Sequence, residues 1–188
     1  YVSSTTDGLR YWDSSFSSNT LVLVSTGLGF DKLVSHKGRL WAAGKVGDER
    51  TIYISEYLDG TDFTLRTDPV DTDPAQITVQ GSLDETLAAF FSSFNDLLVW
   101  YKPNSFGGVY GSKRSTFLSR SFSETVGTSY PDSIKNCDGE LRWLGPQRTY
   151  YGFNGSVLRK LNEDIDTLSE GISQGDFRQR SWFQTTES

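Results

Sequence analysis

This chain repeats short runs of residues that favour β-strands, and turn-forming residue pairs separate the runs. The short interval between turns leaves little room for long helices. Asp-Gly and Asn-Gly pairs favour tight turns between antiparallel strands, because both central residues of such a turn need a positive φ. The turn pairs are Asp7-Gly8, Lys37-Gly38, Asp59-Gly60, Asp138-Gly139 and Asn154-Gly155. Strands at intervals of about 8–12 residues with turns between them predict an all-β sandwich, barrel or propeller.

The runs themselves differ in how they alternate. Thr51–Ser55 alternates with period two, which predicts one buried and one wetted face, whereas Leu97–Tyr101 is continuously apolar and predicts a strand covered on both faces. Thr149–Phe153 and Ser156–Lys160 flank Asn154-Gly155 and predict a hairpin. The other predicted strands are residues 20–24, 39–43, 76–80, 106–110, 117–122 and 140–144.

One local phrase, a turn followed by Leu and an aromatic residue, occurs four times. The phrases are Gly8–Trp12, Gly38–Trp41, Asn95–Trp100 and Gly139–Trp143. Their irregular spacing suits degenerate β-propeller blades of about four strands each, with loops of different length inserted. An aromatic-rich β-sandwich would produce part of the same pattern.

Two stretches of the sequence have features of a short helix. Asp84–Phe91 begins with acidic residues and contains Leu87-Ala88-Ala89, and Asn162–Ile172 begins with an N-cap type residue. The sequence allows a helical turn or two in each.

Composition narrows the classes of function. The chain has 188 residues and a formal charge of −6, which argues against a general phosphate-binding surface. It contains no Met and begins with Tyr1, so we expect residues 1–188 to be one β-rich domain from a longer chain. No apolar run approaches the roughly 20 residues of a membrane-spanning helix.

Candidate catalytic residues are few. His36 is the sole histidine, and its neighbour Ser35 points to the opposite face of an extended segment, so we predict no nucleophile site there. Cys137 is flanked by Asn136 and Asp138 and has no adjacent basic residue to activate it as a nucleophile, so we predict a small buried residue or an inert turn thiol. A glycosidase needs a facing pair of carboxylates, and the sequence does not single one out.

The residues that could form metal or anion sites also have simpler structural explanations. Asp68, Asp71 and Asp73 offer three carboxylates to calcium, but a proline-stiffened solvated loop explains them as well. Asn162–Asp166 fits the acidic start of a helix. Lys113-Arg114, with Arg120 nearby, reads as a solvated loop. We therefore predict no catalytic, cofactor-binding or metal site, no cofactor and no enzyme activity.

Tryptophans outside the core would offer a sugar-stacking platform or a subunit interface. Trp12, Trp100, Trp143 and Trp182 are the candidates, and we expect about three quarters of them to be buried, as is usual for apolar strands.

The ordered set of motifs resembles the degenerate β-propeller proteins of the bacteriophage tail nozzle, tail hub and stabilisation ring. The resemblance covers about residues 30 to 175. It rests on the segments His36–Gly44, Ile52–Glu56, Asp59–Phe63, Leu97–Tyr101, Val126–Ile134, Tyr150–Gly155 and Leu168–Ile172.

That family implies a non-catalytic virion protein, made in the host cytoplasm, that assembles as a homo-oligomeric ring in the tail. It implies other tail or portal-adaptor proteins and further copies of the chain as partners, with genomic DNA passing through the channel during ejection and no membrane contact. A carbohydrate-binding propeller or lectin-like module is the alternative function, and a glycosidase is a more distant one.

Overall fold

The chain folds almost entirely into β-strands. A computed structural model describes residues 1–12, 21–79, 85–94 and 96–162, and in these it has fifteen strands and three single 3-10 turns. The strands are β1 Val2–Ser4, β2 Gly8–Tyr11, β3 Val22–Ser25, β4 Lys32–His36, β5 Arg39–Ala43, β6 Thr51–Ile54, β7 Ala75–Thr78, β8 Ala89–Phe94, β9 Leu97–Tyr101, β10 Phe106–Tyr110, β11 Leu118–Ser123, β12 Lys135–Cys137, β13 Glu140–Leu144, β14 Tyr150–Phe153 and β15 Leu158–Lys160. The 3-10 turns are Arg114–Thr116, Pro131–Ser133 and Pro146–Arg148.

The strands form four sheets in chain order, and each sheet is a meander in which consecutive strands pair antiparallel. Sheet 1 contains β1 to β3, sheet 2 contains β4 to β7, sheet 3 contains β8 to β11 and sheet 4 contains β12 to β15. The predicted all-β class with antiparallel sheets is therefore confirmed. Within the described residues sheet 1 has three strands and the other sheets have four, and none of them closes on itself.

Two of the predicted turns join the first and second strands of their sheets as tight hairpins. Lys37 and Gly38 have φ values of 48° and 70°, and Asp138 and Gly139 have values of 53° and 79°. Positive φ at both central residues is the signature of the type I′ turn, whose twist matches that of the flanking strands.

The hairpin at Asn154-Gly155 is present, but its turn differs from the prediction. Phe153 pairs with Leu158, so four residues connect β14 to β15 instead of two. The Asn154 side-chain oxygen accepts hydrogen bonds from the backbone N–H groups of Ser156 and Val157, at 3.0 and 2.8 Å. The side chain thus organises a wider turn, which Asn favours as readily as a two-residue one.

The four repeated phrases occupy equivalent places. Each one leads into the second strand of its sheet, and these strands are β2, β5, β9 and β13. β5 and β9 are buried along their whole length, and Leu9 and Leu141 are fully buried in the other two. The sequence repeat therefore marks a strand with fully buried residues in every sheet.

Three buried tryptophans on these strands have hydrogen-bond partners for their indole N–H groups. Trp41 donates to the His36 carbonyl at 3.0 Å, and Trp143 donates to the Gly127 carbonyl at 3.0 Å. Trp100 donates to the Ser119 hydroxyl at 3.2 Å. A buried indole needs such a partner, since an unpaired N–H in the core costs free energy.

Successive sheets are joined by three apolar clusters. One cluster contains Leu9 of sheet 1 and Leu40 of sheet 2, a second contains Trp41 of sheet 2 and Trp100 of sheet 3, and the third contains residues of sheets 3 and 4. The third cluster includes Val99, Tyr101, Phe106, Leu141, Trp143 and Phe153. Sheets 2 and 3 therefore bury both faces, and the core consists of layers between the sheets.

This layering corrects the prediction for Thr51–Ser55. All four residues of β6 are buried, because Tyr53 faces sheet 1 while Ile52 and Ile54 face sheet 3. The period-two pattern is real, but both of its faces meet another sheet.

The helical turn that the sequence allows at Asp84–Phe91 does not form in residues 85–91, the part of this stretch that the structure describes. Residues 85–88 have no regular structure, and β8 begins at Ala89. The Ala88 N–H donates to the Tyr101 carbonyl at 2.7 Å, and Leu87 is buried against sheets 2 and 3. Pairing with β9 satisfies this backbone and wins over the weak helix propensity. The second stretch in which the sequence allows a helical turn, Asn162–Ile172, lies outside the described residues beyond Asn162, whose side-chain oxygen accepts from the Tyr150 N–H.

The tryptophan prediction is confirmed for two of its four residues. Trp100 and Trp143 are fully buried, whereas Trp12 is 53% exposed and Trp182 lies outside the described residues.

Among the described residues, no helix is long and apolar enough to span a membrane.

We expect Trp143→Ala to lower the free energy of unfolding by about 3–5 kcal/mol, because it empties a large buried volume between sheets 3 and 4. Trp12→Ala is the matched control, and we expect a change within about 0.5 kcal/mol, as for most surface substitutions. Urea denaturation of both variants measures this. Equal losses would contradict the assignment of the core to the layers between sheets.

Candidate functional site: a basic cleft beside the β4–β5 turn

Arg39, the first residue of β5, is buried although it carries a charge, with only 3% of its surface exposed. Its Nη1 donates to the carbonyl oxygens of Ser55 and Asp73, at 2.6 and 3.0 Å. Its Nη2 donates to the Asp71 carbonyl at 2.6 Å. Arg39 therefore ties both ends of the long connection between β6 and β7 to the start of β5.

Aromatic rings enclose the same guanidinium. The Arg39 Cζ lies 5.9 Å from the centroid of the Tyr57 ring and 5.5 Å from that of Phe117. Burial lowers the pKa of Arg39 from its usual value, while the charge of Glu56 opposes that shift. The Arg39 Nε is buried and has no hydrogen-bond partner.

A second arginine fixes the β6–β7 connection from the solvent side. Arg66 Nη2 lies 2.9 Å from the carboxylates of both Glu56 and Asp62, and Arg66 Nη1 lies 3.0 Å from Asp73. Phe63 of the same connection is buried against Phe30, with ring centroids 5.5 Å apart. The connection is thus held at several points although it contains no strand.

The β4–β5 turn, the β6–β7 connection and the β10–β11 connection surround an open cleft of about 480 Å³. Lys37, Arg39, Tyr57, Asp71, Thr72, Ser112 and Lys113 line it. Three of these side chains are cationic and one is anionic, so the cleft is locally basic in a chain with a net charge of −6.

The charged groups at the rim are only partly engaged. Lys37 Nζ donates to the Gly111 carbonyl at 3.3 Å, and Lys113 Nζ lies 3.8 Å from Asp71 Oδ2. The Asp71 carboxylate accepts from the hydroxyl and backbone N–H of Ser115, and these bonds, together with Lys113, lower its pKa. A pair at 3.8 Å in solvent is weak, and Lys113 is 65% exposed.

The sequence prediction of a solvated loop at Lys113-Arg114 is therefore incomplete. The fold brings Lys113 beside Lys37 and Arg39, which lie more than seventy positions earlier in the chain. Arg120 lies elsewhere, over the Tyr110 ring in a second cleft of about 440 Å³. No local charge run marks this grouping, so sequence reasoning missed it.

The structure separates the residues considered for catalysis. His36 is buried with its ring edge-on to Trp41 at 5.8 Å, whereas Ser35 is exposed on the other face of β4. Cys137 is a half-buried free thiol in β12. The expected opposite directions of Ser35 and His36 are thus confirmed.

The three aspartates considered for calcium do not converge. Asp73 bonds to Arg66 and the Val70 N–H, while Asp71 bonds to Ser115. Asp68 is exposed. Within the described part of the chain, no group of three or more His, Cys, Asp or Glu residues could hold a metal ion.

No protein-family model matches this chain, and no curated protein sequence matches it either.

Gly38 and Gly139 form a matched pair for testing the turn under the cleft. Both have positive φ, but a Cβ at Gly38 would lie 2.7 Å from the Tyr57 ring, whereas a Cβ at Gly139 would meet nothing within 4 Å. We expect Gly139→Ala to cost about 1–2 kcal/mol of unfolding free energy through backbone strain alone. Gly38→Ala should cost more, because Tyr57 must also move. Urea denaturation checks this, and equal costs would contradict the Tyr57 contact.

The sole histidine gives a test of pH dependence. Burial, followed by the charge of Lys37, lowers the pKa of His36 below its usual value of 6.5. The unfolded chain then binds more protons than the folded one below that pH, so stability falls as pH decreases through this range. We expect the free energy of unfolding to decrease between about pH 7.5 and 5.5, where other side chains titrate little. His36→Gln should remove this slope, and an unchanged slope would contradict the burial of a neutral His36.

Proposed function

We propose that this chain is a non-catalytic structural module of a bacteriophage tail, of the nozzle or hub type, whose four sheets are blades of a degenerate β-propeller. In this proposal it assembles with copies of itself into a ring around the DNA exit channel. Other tail or portal-adaptor proteins are its neighbours in the virion.

The observation that carries the proposal is the equivalence of the four repeated phrases. Each phrase leads into the second strand of a separate meander, and the meanders follow one another in chain order. Radial repetition of four-stranded antiparallel units is how propellers are built.

The packing of the sheets supports the blade interpretation. The first strands β1, β4 and β8 lie side by side in succession, as strands at the inner edges of blades would. Apolar clusters fill the space between successive sheets, as they do between neighbouring blades. The first strands β1, β4 and β12 are more exposed than the second strands of their sheets, which agrees with an inner edge that lines a channel.

The segments that resemble tail proteins also have consistent structural places. His36–Gly44 contains the β4–β5 turn and all of β5, and Leu97–Tyr101 is β9. Val126–Ile134 connects sheet 3 to sheet 4, and Tyr150–Gly155 contains β14 and its turn. Leu168–Ile172 lies outside the described residues. A net charge of −6 agrees with a channel wall that repels the DNA backbone and lets it slide.

The two end sheets differ on their outward faces. In sheet 4 that face carries Glu140 between Arg142 and Arg159, with Glu140 Oε2 2.9 Å from the Arg142 Nε. In sheet 1 a row across the strands contains Val2, Arg10 and Leu23, and both apolar residues are exposed. Apolar residues that are exposed on the outward face of sheet 1, within the part of the chain that the structure describes, suit a contact with the next copy in a ring.

Native mass spectrometry of the full chain, alone and mixed with tail proteins, tests the proposal. We expect discrete rings, and we expect Leu23→Lys to abolish them by placing a charge in the contact. Val46→Lys is the control, because Val46 is exposed in the β5–β6 turn, and its rings should persist. Both variants should keep the unfolding midpoint of the parent.

A chain that stays monomeric alone and with every tail protein would overturn the ring proposal. Rings that survive Leu23→Lys would place the subunit contact away from sheet 1.

A further inference from the structure

We propose that the basic cleft beside the β4–β5 turn binds an acidic saccharide, with a hexuronate carboxylate at Lys37, Lys113 and Arg39 and the sugar ring against Tyr57. The cleft lies within one chain, so this inference does not depend on ring assembly. At about 480 Å³ it has the volume usual for small-ligand sites.

The buried guanidinium is the first argument. Arg39 uses Nη1 and Nη2 for three backbone carbonyls, yet its Nε remains buried without an acceptor. A buried charged donor without a partner costs more free energy than a buried neutral donor without a partner. A carboxylate oxygen entering the cleft would supply the missing acceptor with a charge-assisted hydrogen bond.

The second argument is the charge of the rim. Lys37 and Lys113 approach the cleft from different connections, and each has only one weak partner there. Both side chains are long enough to turn toward a bound anion. Asp71 lies among them, and its negative charge favours a singly charged carboxylate over a doubly charged phosphate.

The remaining lining residues suit a sugar. Tyr57 is 46% exposed, and its ring is held in place between the Gly38 backbone and the Arg39 guanidinium. A fixed, half-exposed aromatic ring offers a flat apolar surface at low entropy cost. Thr72 and Ser112 add exposed hydroxyl groups that can bond to sugar hydroxyls.

Backbone amide NMR with three probes tests the proposal: a galacturonate oligosaccharide, the matching galactose oligosaccharide, and inorganic phosphate. We expect only the galacturonate oligosaccharide to give saturable shifts at residues 37–39, 57, 71–72 and 112–113. Its affinity should fall as the salt concentration rises from about 0.01 M to about 0.15 M, because exposed charges are then screened.

Paired variants assign the effect to the cleft. Lys37→Gln combined with Lys113→Gln should weaken galacturonate binding at least tenfold, since both rim charges are removed while polar side chains remain at both positions. Lys135→Gln removes an exposed charge on sheet 4 and should leave the affinity unchanged.

Several results would overturn the proposal. They are the absence of saturable shifts with galacturonate, equal binding of the neutral oligosaccharide, phosphate binding as tightly as galacturonate, and equal weakening by Lys135→Gln. If the double variant also loses the folded spectrum, the single Lys113→Gln variant is measured in its place, because its side chain is exposed and the substitution leaves the fold intact. Unchanged affinity in that variant would also overturn it.

Discussion

Burial of β5 and β9, the second strands of sheets 2 and 3, between two neighbouring sheets is the constraint on which the rest of this structure depends. β5 and β9 have no solvent-facing side, so each needs apolar residues at consecutive positions and a neighbouring sheet on both faces. The large indoles of Trp41 and Trp100 meet in one of these layers. Their N–H groups are satisfied by a backbone carbonyl and a hydroxyl, so these two indoles are buried without leaving their own donors unpaired. A single sheet of this chain would expose most of that apolar surface, and stability therefore belongs to the stack of sheets.

The cleft follows from the same arrangement. Because β5 is buried, a charged residue at its first position must be paired, and Arg39 reaches three backbone carbonyls of the β6–β7 connection. That connection is thereby held beside the β4–β5 turn, with Tyr57 over Gly38. The cleft is the space left between these tied segments and the β10–β11 connection. A residue that organises the fold thus also lines the proposed ligand site and keeps one donor without a partner.

Much of the strand pattern could be predicted, and the failures have a common cause. β5, β9, β10 and β13 have the predicted bounds, because their successive or alternating apolar and aromatic residues lie between segments rich in Gly, Asn, Asp or Pro. The sequence allowed a helical turn at Asp84–Phe91 because local propensity does not register the pairing of β8 with β9. The wet face predicted for β6 was wrong because a period-two pattern does not tell whether its second face meets water or another sheet. The wider turn at Asn154 depends on a side-chain hydrogen bond that competes with the two-residue turn.

The sequence by itself determined the all-β class, the type I′ turns at Lys37-Gly38 and Asp138-Gly139, and the repeat that leads into the second strand of each sheet. These features depend on residues that are neighbours in the chain and on backbone sterics. It also indicated that Ser35 and His36 point apart, which adjacent positions in a strand dictate. Only the tertiary structure decided which sheets face one another and which cations share a cleft. Lys37 and Lys113 are distant in the chain and meet because sheets 2 and 3 stack, and no local pattern encodes a contact that arises from the packing of whole sheets.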